Sequence, residues 1–332
     1  MLLSSKTTSS QTAPHSIHPS AHRLSRRTLL KGVGGLAAAS FVGGGAVVAG
    51  SAPAQAALNV AEHEDQGRMQ YYKLATPSIG WLPRVNVLLP DAYDASRRYP
   101  VLYLLHGGGE DYSTFDTKYD IRNHTAERDL IVVMPDGGAA GWYSDPESSN
   151  VGPRNWETFH VDELIPWVDA TFSTIAQPAG RAVSGFSMGG FGALKYAAKH
   201  PELFGSVSSH SGPADLRIQD GAVVHWANFT AGATDLKGGT IYGIPWDQAR
   251  VSADNPVEHV ESYRGKRIFL VCGTDSDRYE SIVLPSQRSF EKALDGAGIG
   301  YERYEDTGTH IVRWGRVQQD IDSMLNFLTK AG

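Results

Sequence analysis

Short apolar runs alternate with helical stretches along most of this 332-residue chain, and this alternation constrains the fold more than any other feature. The apolar runs lie at 84–89, 101–105, 130–134, 181–184, 204–208, 267–271 and 301–304, and the helical stretches lie at 161–172, 188–199, 285–297 and 317–330. Strands that are apolar on both faces are typical of a parallel sheet covered by helices. The pattern therefore predicts an α/β fold with a mostly parallel central sheet and helices on both faces.

One long segment, about 213–265, contains no clear strand and interrupts this alternation. It is too long to be a simple connection between two elements of a sheet. We therefore expect an insertion, or lid, after the sixth strand. The segment contains the tryptophans Trp226 and Trp246, and because of its length we expect it to be a lid or to face a substrate.

The beginning of the chain differs from the rest in charge and composition. Residues 1–61 contain five basic residues and no acidic residue, and the pair Arg26 and Arg27 precedes a glycine-rich apolar run at 33–50 that leads to a small-residue site at Ala56. This pattern is typical of a cleavable twin-arginine export signal. A transmembrane anchor is the alternative, but six glycines make the run only weakly hydrophobic.

We therefore expect a signal peptide at 1–56 and one folded domain at 57–332, secreted without a stable membrane span after cleavage. The net charge of −6 argues against nucleic acid as a partner, because a protein that binds phosphates needs a basic face. Cys272 is the only cysteine, which excludes an intramolecular disulfide and a zinc site built from cysteines.

A glycine-flanked serine lies between one apolar run and one helical stretch. The motif Gly-Phe-Ser-Met-Gly, centred on Ser187, follows the run at 181–184 and leads into the stretch at 188–199. A serine on such a strand, turn and helix is exposed at the carboxyl edge of the sheet, where it can act as a nucleophile. The N–H of Met188 can then serve as one donor to the oxyanion that forms.

A nucleophilic serine also needs a base to take its proton. Beyond position 57, His310 is the only histidine between the last predicted strand and the last predicted helix, which is the place of the base in the chain order serine, acid, histidine. We expect His106, in a His-Gly-Gly-Gly run, to be structural. His210 and His225 lie near the insertion and are also better explained as structural residues than as substrate contacts.

The acid that would orient the histidine is not decided by these patterns. Asp275, Asp277 and Glu280 all follow the apolar run at 267–271. A carboxylate in this place would orient the imidazole and stabilise its cation. All three acids remain candidates.

Six stretches together resemble a known family from about Tyr71 to the C-terminus. They lie at 99–108, 132–138, 142–145, 156–159, 185–190 and 308–310. They are similar to the bacterial esterase family that includes esterase D, feruloyl esterases and the antigen 85 mycolyltransferases. The resemblance implies an α/β-hydrolase fold with Ser187 as nucleophile and His310 as base, an oxyanion hole formed by Gly108 and Met188, and no metal or organic cofactor.

The resemblance also chooses among the three acids. In the mycolyltransferases the acid lies ten residues before a helix phenylalanine, and aligning that helix on Phe290 places the acid at Glu280. In esterase D an aspartate directly after Gly-Thr has this role, which leaves Asp277 as the alternative. We expect Glu280 to complete the triad. We expect Cys272 to be a buried packing residue.

Three positions depart from the mycolyltransferases. Where those enzymes line their trehalose site with an aspartate, an arginine and a tryptophan, this chain has His106, Gly109 and Val312. The resemblance therefore implies a secreted serine carboxylic-ester hydrolase that acts through an acyl-enzyme on a small-molecule, lipid or carbohydrate ester. An acyltransferase of the mycolyltransferase type is the first alternative, and a non-catalytic cell-wall or adhesion protein on the same fold is the second.

Overall fold

Nine strands form one open sheet in the computed structural model, which describes residues 58–331 of the chain. Numbered β1 to β9, they are Asn59–Gln66, Met69–Ala75, Arg84–Leu88, Val101–Leu105, Ile131–Pro135, Arg181–Phe186, Ser206–His210, Arg267–Gly273 and Glu302–Asp306. Their order across the sheet is β1-β2-β3-β5-β4-β6-β7-β8-β9. The predicted signal peptide, 1–56, lies outside the described residues.

The sheet is mostly parallel, as the apolar runs predict. The strands from β5 across to β9 are parallel to their neighbours, whereas β1, β2 and β3 form an antiparallel edge that joins β5. All seven predicted strands are present, with ends shifted by one or two residues. The hairpin of β1 and β2 was not predicted. β1 is exposed along its whole length and carries no alternation of apolar residues that could signal a strand.

Eight α-helices accompany these strands in the described part of the chain. Numbered α1 to α8, they are Thr114–Thr117, Ile121–His124, Ile165–Thr171, Met188–Lys199, Ile218–Ala233, Gln248–Asp254, Glu280–Ala297 and Trp314–Ala331. A π-helix, Thr158–Leu164, runs into α3 and together with it covers the predicted stretch at 161–172. The four predicted helical stretches are therefore all present.

Helix α7 begins five residues before its predicted start. The predicted stretch begins at Pro285, a residue type that is common in the first turn of a helix. In the structure Pro285 lies inside α7. The side chain of Asp277 accepts the N–H groups of Tyr279 and Glu280, which are free at a helix start, and this begins the helix upstream of the proline.

Both faces of the sheet are covered. Along β4 the side chains alternate: Val101 and Leu105 join the apolar cluster that contains residues of α3, α4 and α5, whereas Leu102 joins the cluster that contains residues of α1, α2 and α8. The strand itself is buried throughout. Among the described residues, no helix has the length and apolar character that a bilayer crossing requires.

The segment 213–265 is an insertion, as expected, but it follows the seventh strand, β7, and not the sixth. The expected count of six was wrong: five of the predicted apolar runs precede the segment, and the two strands of the β1–β2 hairpin bring the number to seven. The insertion is helical and contains α5, α6 and the 3₁₀-helix Pro256–Tyr263. It therefore has its own regular structure and is held at the carboxyl end of the parallel strands, where ligands bind in sheets of this type.

Candidate active site

Ser187 occupies a sharp turn between β6 and α4. Its backbone has φ 54° and ψ −117°, a conformation that costs a non-glycine residue about 1–3 kcal/mol and is concentrated at functional sites. Two hydrogen bonds hold the turn: the Ser187 N–H donates to the carbonyl of His210 at 2.8 Å, and the Phe191 N–H donates to the carbonyl of Ser187 at 3.0 Å. The hydroxyl is thereby presented at the carboxyl edge of the sheet.

The two glycines of the motif allow the strand and the helix to approach this closely. A Cβ on Gly185 would lie 2.3 Å from the carbonyl carbon and oxygen of Gly189. A Cβ on Gly189 would lie 2.1 Å from the carbonyl oxygen of Leu105, at the end of β4. Both contacts involve backbone atoms that no rotamer change can remove, so the turn requires glycine at both places.

Three side chains that are distant in sequence meet at this turn. Nε2 of His310 lies 2.8 Å from Oγ of Ser187, and Nδ1 of His310 lies 3.3 Å from Oε1 of Glu280. Nδ1 donates to the carboxylate, which leaves Nε2 as an acceptor for the serine hydroxyl. The structure therefore brings together the three residues expected to form a triad.

Glu280 is almost fully buried and is held by several donors. Its Oε1 accepts the hydroxyl of Ser211 at 2.6 Å and the N–H of Gly273 at 3.2 Å, and its Oε2 accepts the thiol of Cys272 at 2.9 Å. Burial alone raises the pKa of Glu280, but the hydrogen bonds from His310, Cys272 and Ser211 outweigh it, so the pKa lies below its usual value. The group is therefore a carboxylate at neutral pH.

Cys272 is buried, as expected of a packing residue, and the structure gives it a hydrogen bond in addition. The side chain is buried, and its thiol donates a hydrogen bond to the carboxylate that faces His310. Burial and the neighbouring charge of Glu280 raise the pKa of Cys272 well above its usual value. The group therefore stays protonated and remains a donor.

Asp277 has a different role from Glu280. Its Oδ2 accepts the backbone N–H of His310 at 2.8 Å, and its Oδ1 accepts the backbone N–H groups of Tyr279 and Glu280 at 2.8 and 2.7 Å. Burial acts to raise the pKa of Asp277, but these N–H donors lower it overall. Asp277 thus binds backbone rather than the imidazole. The third candidate, Asp275, is exposed, and its N–H donates to the carbonyl of Gly308 at 3.1 Å.

Two backbone N–H groups are available beside the serine. Gly108 and Met188 both line the cavity that contains Ser187, and within residues 58–331 neither N–H donates a hydrogen bond to another group. Met188 is the first residue of α4, where a helix leaves its N–H groups without partners. These are the positions that the resemblance implies for an oxyanion hole.

The cavity in front of the serine has a volume of about 590 Å³ and a largely apolar lining. Among its apolar residues are Trp142, Phe186, Trp226, Tyr279, Ile311 and Val312. The insertion supplies one wall through Trp226 and two threonines of the α5 region. The other tryptophan of the insertion, Trp246, does not line this cavity but a separate groove.

Three other histidines, His106, His210 and His225, were expected to be structural, and each contacts protein groups away from the cavity. Nε2 of His106 accepts the N–H of Gly137 at 2.9 Å, and the ring is buried. Nε2 of His210 lies 2.9 Å from a carboxylate oxygen of Asp320 in a buried network. The ring of His225 packs edge-on against Trp246. None of these histidines lines the cavity around Ser187.

Ser211 was missed at the sequence level. It follows β7, whose neighbours in the sheet are β6 and β8, the strands that lead to Ser187 and toward Glu280. A position at the end of a strand that lies between two strands with functional loops is the one sequence feature that could have indicated Ser211. Among residues 58–331 there is no cluster of three or more histidine, cysteine or acidic side chains that could hold a metal ion.

Comparison with known proteins identifies relatives over most of the chain. The model of a family described as "Putative esterase" matches residues 76–328. Esterase Rv1288 of Mycobacterium tuberculosis (strain H37Rv) is 56% identical over 283 residues, which cover 82% of this chain and 62% of that protein. This chain therefore spans about 62% of the length of that relative.

Two further relatives differ in the activity that their names state. The diacylglycerol acyltransferase/mycolyltransferase Ag85A of Mycobacterium leprae is 28% identical over 321 residues, which cover 89% of this chain and 91% of that protein. The solved structure of an S-formylglutathione hydrolase from Agrobacterium tumefaciens superposes with a TM-score of 0.64 at 20% identity, over 82% of this chain and 99% of that one. The open nine-stranded sheet with its helices is thus an α/β-hydrolase fold.

Proposed function

Because this chain belongs to the esterase family whose model it matches, we propose that it is a serine carboxylic-ester hydrolase with Ser187, His310 and Glu280 as its triad. The observation that carries the proposal is the pair of contacts on His310, 2.8 Å to the serine hydroxyl and 3.3 Å to the glutamate. They lie in a cavity large enough for a small substrate.

In the acylation step, the Ser187 hydroxyl gives its proton to Nε2 of His310 as its oxygen bonds to the ester carbonyl carbon. The carbonyl oxygen becomes an oxyanion, which the N–H groups of Gly108 and Met188 stabilise. When the tetrahedral intermediate collapses, the bond to the alcohol oxygen breaks and His310 returns the proton to that oxygen. The products are the free alcohol and an acyl-enzyme on Ser187.

In the deacylation step, water repeats the attack with His310 as base, and Ser187 is released together with the free acid. Glu280 keeps the imidazole in the tautomer that accepts at Nε2, and it stabilises the imidazolium in both steps. The apolar lining of the cavity suits an acyl group, so we place the acyl part of a lipid or other small ester against Trp142 and Trp226.

An acyltransferase would use the same acyl-enzyme with an alcohol in place of water. The 28% identity to Ag85A keeps this second candidate open. Gly109 and Val312 line the cavity here. At these positions the mycolyltransferases have an arginine and a tryptophan for their sugar, so an acceptor would lack those contacts. We therefore place hydrolysis first.

The proposal is tested by Ser187→Ala in the full chain, assayed on p-nitrophenyl esters of increasing acyl length. Loss of the nucleophile should lower kcat by a factor of about 10³ or more, because only binding and the oxyanion hole remain. Ser173→Ala is the matched control, since that hydroxyl bonds to the Ala95 carbonyl away from the cavity. Circular dichroism monitors folding. A folded Ser187→Ala protein with the activity of the control would contradict the proposal.

A further inference from the structure

The oxyanion loop, which we define as residues 107–109, is held by the loop that follows β5. The N–H of Gly109 donates to the carbonyl of Ala139 at 2.7 Å. This bond fixes the residue directly after Gly108, and Gly108 lines the cavity with its N–H free of any partner among residues 58–331. The position of the Gly108 donor therefore depends on where the carbonyl of Ala139 lies.

The carbonyl of Ala139 is in turn held from the insertion. Oδ2 of Asp235, just beyond the end of α5, accepts the N–H of Ala140 at 2.8 Å. The insertion contacts the same loop a second time, where Nε1 of Trp142 donates to the hydroxyl of Thr230 at 3.0 Å. Residues 138–142 are thus fixed between the oxyanion loop on one side and the insertion on the other.

The close approach of Asp235 is built into the backbone of this loop. Gly138 has φ +71°, and a Cβ at this position would lie 2.3 Å from Oδ2 of Asp235. Glycine at 138 leaves room for the carboxylate against the backbone. Burial raises the pKa of Asp235, an effect that its bonds to backbone N–H groups offset only in part. Burying this carboxylate therefore costs solvation free energy.

We infer that Asp235 is a positioning residue, through which the insertion sets the geometry of the oxyanion hole. The inference rests on the proposed function, since it assigns the Gly108 N–H to the oxyanion. Asp235 acts through two successive hydrogen bonds. The Ala140 N–H donates to Asp235, and the Gly109 N–H donates to the carbonyl of Ala139. Asp235 therefore does not need to contact the reacting atoms. Removing its carboxylate frees the Ala139 carbonyl to move and displaces the Gly108 donor.

A displaced oxyanion donor has a specific kinetic signature. The donor strengthens its interaction only as charge develops on the carbonyl oxygen, so its displacement lowers kcat and leaves KM nearly unchanged. Loss of a complete oxyanion donor costs about 10²–10³ in kcat. For a donor that is shifted and not removed, we expect Asp235→Ala to lower kcat about 10- to 100-fold with KM within about threefold.

Asp247→Ala is the matched control. Asp247 also belongs to the insertion and also accepts backbone N–H groups, those of Ala249 and Arg250 at the start of α6, at 2.9 and 3.1 Å. It does not line the cavity. Its loss should weaken the insertion by about 1 kcal/mol, as for other helix caps, without changing kcat. Asp235→Asn keeps one oxygen that can accept the Ala140 N–H, and it should restore most of the kcat that alanine loses.

Hydrogen exchange gives a readout that does not depend on catalysis. With kcat and KM on a p-nitrophenyl ester, we would measure amide exchange in the peptides that cover 106–112 and 137–142. Asp235→Ala should speed exchange in both peptides, and Asp247→Ala should leave both unchanged. The inference is overturned if exchange over 106–112 is unaffected in Asp235→Ala, or if kcat is unchanged while Ser187→Ala is inactive. An inactive wild type with altered exchange would instead count against the proposed esterase.

Discussion

Asp277 accepts the backbone N–H of His310 at 2.8 Å, while the imidazole of the same histidine faces Glu280. The two acids lie three residues apart, and each accepts a hydrogen bond from a different part of the same histidine. Asp277 holds the loop that carries His310 and starts the helix that carries Glu280. Of the two acids, only Glu280 forms a hydrogen bond to the ring. This division leads directly to a ranking of the two acids in catalysis.

Glu280→Gln should reduce kcat by a factor of about 10³–10⁴ with little change in KM, because an amide does not stabilise the imidazolium of the transition state. Asp277→Asn should be milder, about tenfold in kcat, because the loop loses charge in its hydrogen bonds but keeps one amide oxygen as an acceptor. Steady-state kinetics on one p-nitrophenyl ester gives both values. The reverse ranking would move the triad acid to Asp277 and contradict the geometry of the site.

His160 should make the stability of the protein depend on pH. His160 lies on the π-helix, and its ring is buried. Nε2 donates to the carbonyl of Asp136 at 2.8 Å, and Nδ1 accepts the hydroxyl of Tyr196 at 2.9 Å. Burial lowers the pKa of His160 to about 3, against about 6.5 in an unfolded chain. Between these values the unfolded chain binds a proton that the folded protein does not.

His160 therefore makes its full contribution to the free energy of unfolding above pH 6.5, and this contribution decreases as the pH falls toward 3. Over this window its loss approaches about 1.4 kcal/mol of unfolding free energy per pH unit. Urea unfolding of the wild type and of His160→Gln, from pH 7.5 to 4.5, isolates this effect as the difference between the two proteins. The difference should shrink as the pH falls. A constant difference over the whole range would show that His160 titrates normally.

Hydrolysis should exceed transfer when an acyl-enzyme forms on Ser187. Gly109 and Val312 line the cavity without the arginine and tryptophan that hold the sugar in the mycolyltransferases. An alcohol that is not positioned against the acyl-enzyme competes poorly with water. Incubation with a short-chain ester, with and without millimolar trehalose or glycerol, followed by mass spectrometry, measures free acid against transferred ester. Mostly transferred ester would favour the acyltransferase instead.

Export should depend on the arginine pair Arg26 and Arg27. A twin-arginine signal is an address that a receptor reads, so replacing both residues with lysine should retain the protein in the cytoplasm. Arg23→Lys is the control, since it changes a basic residue of the same segment outside the pair. Cell fractionation of a host with this pathway measures the outcome. Equal export of the double variant and the control would exclude this route.

The strands and the serine turn could be predicted because their signals are local. Strands buried on both faces must be apolar over their whole length, and β4, β5 and β6 read as such runs. Gly185 and Gly189 are required by contacts within one strand, turn and helix and with the adjacent β4. His310 follows from chain order along the same sheet. Strand β1 was missed because an exposed, polar edge strand carries no apolar pattern.

The sequence by itself determined the parallel part of the sheet and the places of Ser187 and His310 at its carboxyl edge, whereas the tertiary structure decided which groups hold these two residues. Glu280 and Asp277 lie three residues apart, and folding brings different donors to them: the His310 ring, a thiol and a hydroxyl contact the first, whereas only backbone N–H groups are bound by the second. Asp235 likewise gains its role from a loop nearly a hundred residues away. The physical reason is that a buried polar group must find its partner wherever the fold places one, and residue type alone does not say where that is.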